Sequence, residues 1–332
     1  MKQFMKGFSV IVWVFVALST VEAKTAIKPE ASPALQTAVD TQDVQIFTAN
    51  NEDGKITPKT IEEAFVKEGF FISEHRDMNT PFVAKFKETG FDIYNLFTVY
   101  RKDTVRNLAV KYPEIGLFTP MSMSIYTKKG AKTISVAFLS AKTAARMMSI
   151  PEDHPEIVAL EKSIITALHQ AMPNGALEKV TYKMKKPEGS LVARATLLLE
   201  DDADWEEEKD DFQMEFEGSL APSGFILAGF TDLGYDFEEN NITAYLYYDT
   251  YSICKLEVIY VVVKKHPAAG AFAPCCMYMY QKKEEKEVHM AFPTVYKWIA
   301  SLGIEDKESL DVLLDAQKKF EAILQKLTQK KK

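Results

Sequence analysis

A stretch that occurs twice constrains this chain more than any other feature. Gly116-Leu117-Phe118-Thr119-Pro120-Met121-Ser122-Met123-Ser124-Ile125-Tyr126 is answered by Gly270-Ala271-Phe272-Ala273-Pro274-Cys275-Cys276-Met277-Tyr278-Met279-Tyr280. The offset is constant at 154 positions (270 − 116), and it carries Pro120 to Pro274, Tyr126 to Tyr280 and Phe138 to Phe292. Matched residues at one fixed spacing mark an internal duplication, so one fold is built twice.

The N-terminus is set aside before the fold is argued. Lys2 and Lys6 precede an apolar run from Phe8 to Leu18, and Val21-Glu22-Ala23 places small residues where signal peptidase reads them. Residues 1–23 therefore read as a secretory signal peptide, cleaved near Ala23, with the mature chain in the periplasm or secreted. The apolar run is shorter than the about 20 residues a membrane span needs, and no other stretch is long and apolar enough to span. Residues 24–42 are polar, carry Pro29 and Pro33, and read as a tether.

The remainder is long enough for two domains of ordinary size. A net charge of −7 argues against nucleic acid as the main partner. Acid is concentrated between Glu200 and Asp211, around Trp205, in a stretch that reads as a solvated linker or helix start. It lacks the glycine and spacing of a calcium loop. Three cysteines are too few for a disulfide scaffold, so each domain must rest on a hydrophobic core. All three thiols are expected unpaired, with Cys254 and Cys275 at opposite ends of neighbouring strands.

The first copy spans 43–176 and the second 190–328, with 177–189 as linker and 329–332 as a basic tail. Val44 to Ala49 alternates as a strand. Thr60 and Glu63 have capping-box spacing, Gly69 ends that helix, and Thr80-Pro81 has the form of a second helix start. Ile93 to Val99 is the next strand. Val105, Leu108, Ala109 and Tyr112 then recur at helical spacing behind Asp103 as cap. By equivalence Leu256 to Lys265 is also helical, although its β-branched residues favour a strand. Pro120 opens a strand that turns at Lys128-Lys129-Gly130 into Thr133 to Leu139. Asp153 or Glu152 opens a long helix carrying Ile157, Leu160, Ile164 and Leu168. In the second copy, residues 231–241 read as loop. Each copy thus reads β-α-β-(α)-β-α-β-β-α, an α+β unit with helices on one face of a mainly antiparallel sheet. The two are expected to pack as a pseudo-dimer.

Lys111-Tyr112-Pro113 runs through Gly116-Leu117-Phe118-Thr119-Pro120 into the strand Met121–Tyr126, and Lys265-His266-Pro267 runs likewise through Pro274 into Cys275–Tyr280. In this the chain resembles the domain-of-unknown-function family 302, DUF302, present as a tandem pair. The resemblance covers most of 43–172 and, more loosely, 190–327. It implies an α+β fold that tends to dimerise, and no established activity or catalytic residues. The Gly-Asn-Pro common after the family's third strand is replaced by Tyr100-Arg101-Lys102 and by Cys254-Lys255-Leu256.

No Gly-rich phosphate loop, G-x-S-x-G, H-E-x-x-H or C-x-x-C is present. None of the five histidines shows a positioned partner in the sequence, so none is assigned catalysis. His154 and His266 fit capping roles. The unusual constellation is sulfur-rich. Cys275, Met277 and Met279 share one strand face, as Met121 and Met123 do in the first copy. Such residues fill cores. As ligands they would select a soft ion such as Cu(I). The expectation is an exported binding protein for an unknown small molecule or protein, with no cofactor unless Cys275, Met277 and Met279 take copper. An enzyme of unknown reaction is the alternative.

Overall fold

The computed structural model describes residues 28–29, 42–200 and 203–329. The signal peptide at 1–23, nearly all of the tether and residues 330–332 of the basic tail lie outside the described residues.

A two-residue strand, β1 (Lys28–Pro29), precedes the first unit. That unit runs β2 (Val44–Asn50), α1 (Pro58–Lys67), β3 (Phe71–Asp77), α2 (Asn79–Phe86), β4 (Phe91–Tyr100), α3 (Lys102–Ala109), β5 (Met121–Lys128), β6 (Thr133–Leu139), α4 (Ala141–Met147) and α5 (Pro155–Ala171). β7 (Ala176–Leu177) follows. The second unit runs β8 (Val192–Leu198), α6 (Trp205–Leu220), β9 (Ile226–Asp232), α7 (Leu233–Glu239), β10 (Tyr245–Cys254), α8 (Leu256–Lys265), β11 (Cys275–Lys282), β12 (Glu287–Pro293), α9 (Val295–Leu302) and α10 (Lys307–Thr328). The element orders are the same. So are the sheets: β3-β4-β5-β6-β2-β7 and β9-β10-β11-β12-β8-β1, antiparallel throughout.

The period-2 alternation of the strands decides which face meets what. Past the bulges at Phe91/Ile93 and Tyr245/Tyr247, odd positions of β4 and β5, with their counterparts in β10 and β11, face the outer helices: Phe97 meets Phe65 of α1, and Tyr251 meets Phe216 of α6. Even positions face the other unit. Tyr94 donates its hydroxyl proton to the Pro267 carbonyl at 2.9 Å, and its counterpart Tyr248 donates to the Pro113 carbonyl. These carbonyls open two 3-10 turns, Pro113–Phe118 and Pro267–Phe272, each of which lies on the opposite unit's sheet. The duplicated motif is thus the contact between the units, made reciprocally about a pseudo-twofold axis. The short helices α2 and α7 sit on this inner face too, with Phe82 against Tyr94 and Phe237 against Tyr248.

Several local expectations are corrected. Residues 231–241 are not all loop, because Asp232 caps α7 by accepting from the Tyr235 N–H at 2.9 Å, and Leu233 and Phe237 are buried. The first capping box uses Thr57 and Thr60 rather than Thr60 and Glu63, since Pro58 takes the first helical position. α2 starts at Asn79, and the Asp77 carboxylate rather than Thr80 accepts from the Asn79 and Thr80 N–H groups. Arg101, not Asp103, stands at the start of α3. α5 is capped by His154, with Pro155 first, rather than by Asp153 or Glu152. α4 and α9 are additional to the elements read from the sequence. Residues 256–265 form the expected helix, α8.

Candidate functional site

The second unit has a partly open cavity of about 60 Å³ between the outer face of its sheet and α8, α9 and α10. Its wall includes Phe225, Cys275, Met277, Trp298, Leu313 and Phe320. β11 supplies Cys275 and Met277 because they are two apart on the helix-facing side. α10 supplies Leu313 and Phe320 from its apolar stripe, and α9 contributes Trp298. The lining is almost wholly apolar. Its amide and charged members are engaged elsewhere: the Gln317 side chain accepts from the Val295 N–H at 3.0 Å and donates to Glu321 at 2.7 Å, and Lys255 Nζ lies 3.2 Å from Asp315 Oδ2.

Of the residues expected as soft ligands, Cys275 and Met277 therefore line one cavity, while Met279 is fully buried further along the strand. Burial pushes the Cys275 thiol up to about 12, and the nearby Cys254 thiol adds to this. The thiol is neutral at physiological pH, whereas the thiolate is the metal-binding form.

Cys254 and Cys275 are not at opposite ends. Ile253 pairs with Cys275 in the β10–β11 ladder, because α8 and the 3-10 turn after it return the chain to the same end of the sheet. All three cysteines are nevertheless free. Cys276 points to the inner face, where its thiol donates to the Gly116 carbonyl at 3.0 Å. Its counterpart Ser122 donates to the Pro274 carbonyl at 2.7 Å. The thiol at 276 belongs to the contact between units.

Partners that the sequence did not disclose are found for several histidines. His75 Nδ1 bonds the Glu62 carboxylate, and its Nε2 lies 3.1 Å from the Asn95 amide nitrogen. Both ring nitrogens are thus occupied. His266 Nε2 is 3.0 Å from Asp306 Oδ2. His289 Nε2 is 3.1 Å from Glu285 Oε2, with Glu287 beside it. Lys282 already neutralises Glu285 at 2.9 Å, so this trio is an ion-pair cluster at a strand start.

Other cavities are less suited. A wider groove of about 590 Å³ near Asp53, Lys55, Glu63 and Lys67 is bordered by solvated charges. A pocket of about 40 Å³ between the two units is lined by Leu96, Thr98, Ala228 and Cys254, with Glu74 and Arg76 alongside.

No protein-family model matches the chain. No curated protein matches it. Among solved structures, it is similar to the crystal structure of an uncharacterized conserved protein, DUF302, from Bacillus stearothermophilus. That likeness has a TM-score of 0.35 and 14% identity over 42% of this chain and 98% of that one.

Proposed function

We propose that this chain is an exported binding protein whose second unit takes a small apolar ligand in the cavity behind Cys275 and Met277. The observation that carries the reading is a nearly all-apolar cavity walled by three strands, three helices and several aromatic rings. Concave apolar sites with few polar groups are the usual form of a small-molecule site. The two units are, on this reading, copies of the DUF302 domain fused so that one chain supplies both halves of a dimer. The reciprocal contacts of the duplicated turns support the fusion. Native mass spectrometry of protein purified from its own compartment tests the reading: a bound small molecule is expected on the intact chain, and its absence from protein that never met denaturant counts against it. N-terminal sequencing of the exported protein tests the export, with Lys24 the expected first residue.

A soft-metal reading is favoured by one observation, the two sulfurs of Cys275 and Met277 on one wall. It requires the buried thiol to lose its proton and Met279 to reach the same ion. A Cu(I) titration against a competing chelator, on the wild type and on Cys275→Ser with Met277→Leu, separates the readings. Tight binding lost in the double variant selects copper; weak binding in both leaves the apolar ligand.

A further inference from the structure

We infer that the ligand of this cavity is a neutral, compact apolar molecule carrying one hydrogen-bond acceptor, held on the indole N–H of Trp298. The inference rests on the reading of the cavity as a ligand site and adds the chemistry that the site selects. Trp298 is only 2% exposed, it lines the cavity, and the one group its Nε1 reaches among the described residues is the Cys275 sulfur, a weak acceptor that leaves the indole N–H without an oxygen or nitrogen partner. Buried indole N–H groups ordinarily find an acceptor, and leaving a donor unmet costs about 1–3 kcal/mol. The other strongly polar side chains of the lining are committed, and Cys254 adds only a weak thiol donor. Gln317 is bonded at both ends, Lys255 is paired with Asp315, and the Cys275 thiol is turned to the Phe272 carbonyl at 3.5 Å. An entering molecule therefore meets one strong donor that lacks an oxygen or nitrogen acceptor, in an otherwise apolar wall.

That arrangement sets the ligand class. A ketone, ether or ester oxygen satisfies the indole N–H and asks nothing further. A carboxylate or ammonium finds no free counter-charge among the described lining residues, so its desolvation goes uncompensated. A volume of about 60 Å³ gives room for about four to six water-sized groups, which is a small ring or short branched chain. One site per chain follows from the offset. Trp298 stands where the first unit has the buried Ala144 (298 − 154), and Cys275 where it has Met121. The first unit carries no indole donor at the matching place.

The test uses two shape-matched probes, cyclopentanone and methylenecyclopentane, which differ in an oxygen replaced by CH2. Both are titrated by NMR into the full mature chain and into Trp298→Phe, which keeps an aromatic ring and removes the N–H. We expect one equivalent of each to bind. The ratio of ketone to alkene affinity should fall about 3- to 10-fold in Trp298→Phe, the worth of one neutral hydrogen bond. The Trp298 indole proton of the wild type should shift downfield with the ketone alone. An unchanged ratio, or an indole proton that responds equally to both probes, overturns the inference and leaves the apolar cavity standing as a ligand site. Failure of both probes to bind the wild type overturns the inference together with the reading it rests on.

Discussion

Two glycines show how a residue that looks like punctuation serves a contact. A Cβ on Gly116 would lie 2.5 Å from the Tyr248 hydroxyl oxygen, and one on Gly270 would lie 2.8 Å from that of Tyr94. Gly116 also donates its N–H to Tyr248 Oη at 3.0 Å. Gly116→Ala and Gly270→Ala are expected to destabilise by about 1–3 kcal/mol each, the usual range for overpacking, read from urea denaturation. An Ala variant as stable as the wild type would remove the close approach as the reason for glycine. Asp249 behaves differently. It is fully buried on β10, 2.9 Å from Lys209 Nζ and 3.0 Å from the Gln213 amide nitrogen, with Oδ1 unpartnered among the described residues. Burial raises its pKa to about 6 despite the Lys209 charge. An acid with a raised native pKa binds its proton more tightly when folded, so its contribution to stability falls as pH rises from about 4 to 6. A shift of about two units corresponds to on the order of 3 kcal/mol. Asp249→Asn should therefore gain stability relative to wild type between pH 4 and pH 7, and parallel denaturation curves at the two pH values would refute this. Neither role was legible in the sequence. Gly116 was visible as a repeat and Asp249 as a polar residue in a strand, but their partners lie far along the chain.

At the scale of elements, the sequence disclosed those with clean spacing and missed those held by distant contacts. α9 and α4 are short, and they are joined by a buried charge cluster. Lys297 of α9, 1% exposed, reaches Asp43 Oδ2 at 2.7 Å. Ser301 bonds the same oxygen at 2.8 Å, while Thr143 and Arg146 of α4 reach Oδ1 at 3.0 and 3.1 Å. Burial alone would raise the Asp43 carboxyl, yet the Lys297 charge and the hydrogen bonds from Lys297, Ser301 and Thr143 hold it below the ordinary carboxylate value. Lys297→Met breaks the more buried of the two ion pairs on Asp43, leaving Arg146 on Oδ1, and is expected to cost about 3 kcal/mol, the lower end for a broken buried pair. Adding Asp43→Leu should recover part of that loss. If the double variant is no better than the single one in denaturant titration, the cluster is not a paired unit. The shifted helix caps share one cause. A side chain two or three positions away, such as Asp77 or Thr57, reaches the free N–H groups first, and Pro58 and Pro155 fix where the helix begins.

Across the whole molecule, the two units share one interface made from duplicated parts, so they should unfold together. Trp205 and Trp298 both lie in the second unit and report on it alone among the described residues, whereas far-UV circular dichroism reports on both. Phe138→Ala removes a buried ring of the first unit, at a cost of about 3–5 kcal/mol. The tryptophan fluorescence transition should move with it and stay coincident with the circular dichroism transition. A fluorescence transition that stays in place would show that the units unfold independently. The sequence by itself determined the duplication, the α+β composition, the strand pair that repeats and the faces on which Cys275, Met277 and Met279 fall. Those follow from periodicity, which is local: a strand's period of two sorts side chains onto faces without reference to anything distant. What lies against each face was decided only by the tertiary structure. It placed Trp298 beside Cys275, set the second unit's Tyr248 on the Pro113 turn of the first, and brought Cys254 back next to the start of β11. Such contacts, whether between elements next to each other in sequence or between the two units, depend on how whole faces dock, and no local spacing encodes them.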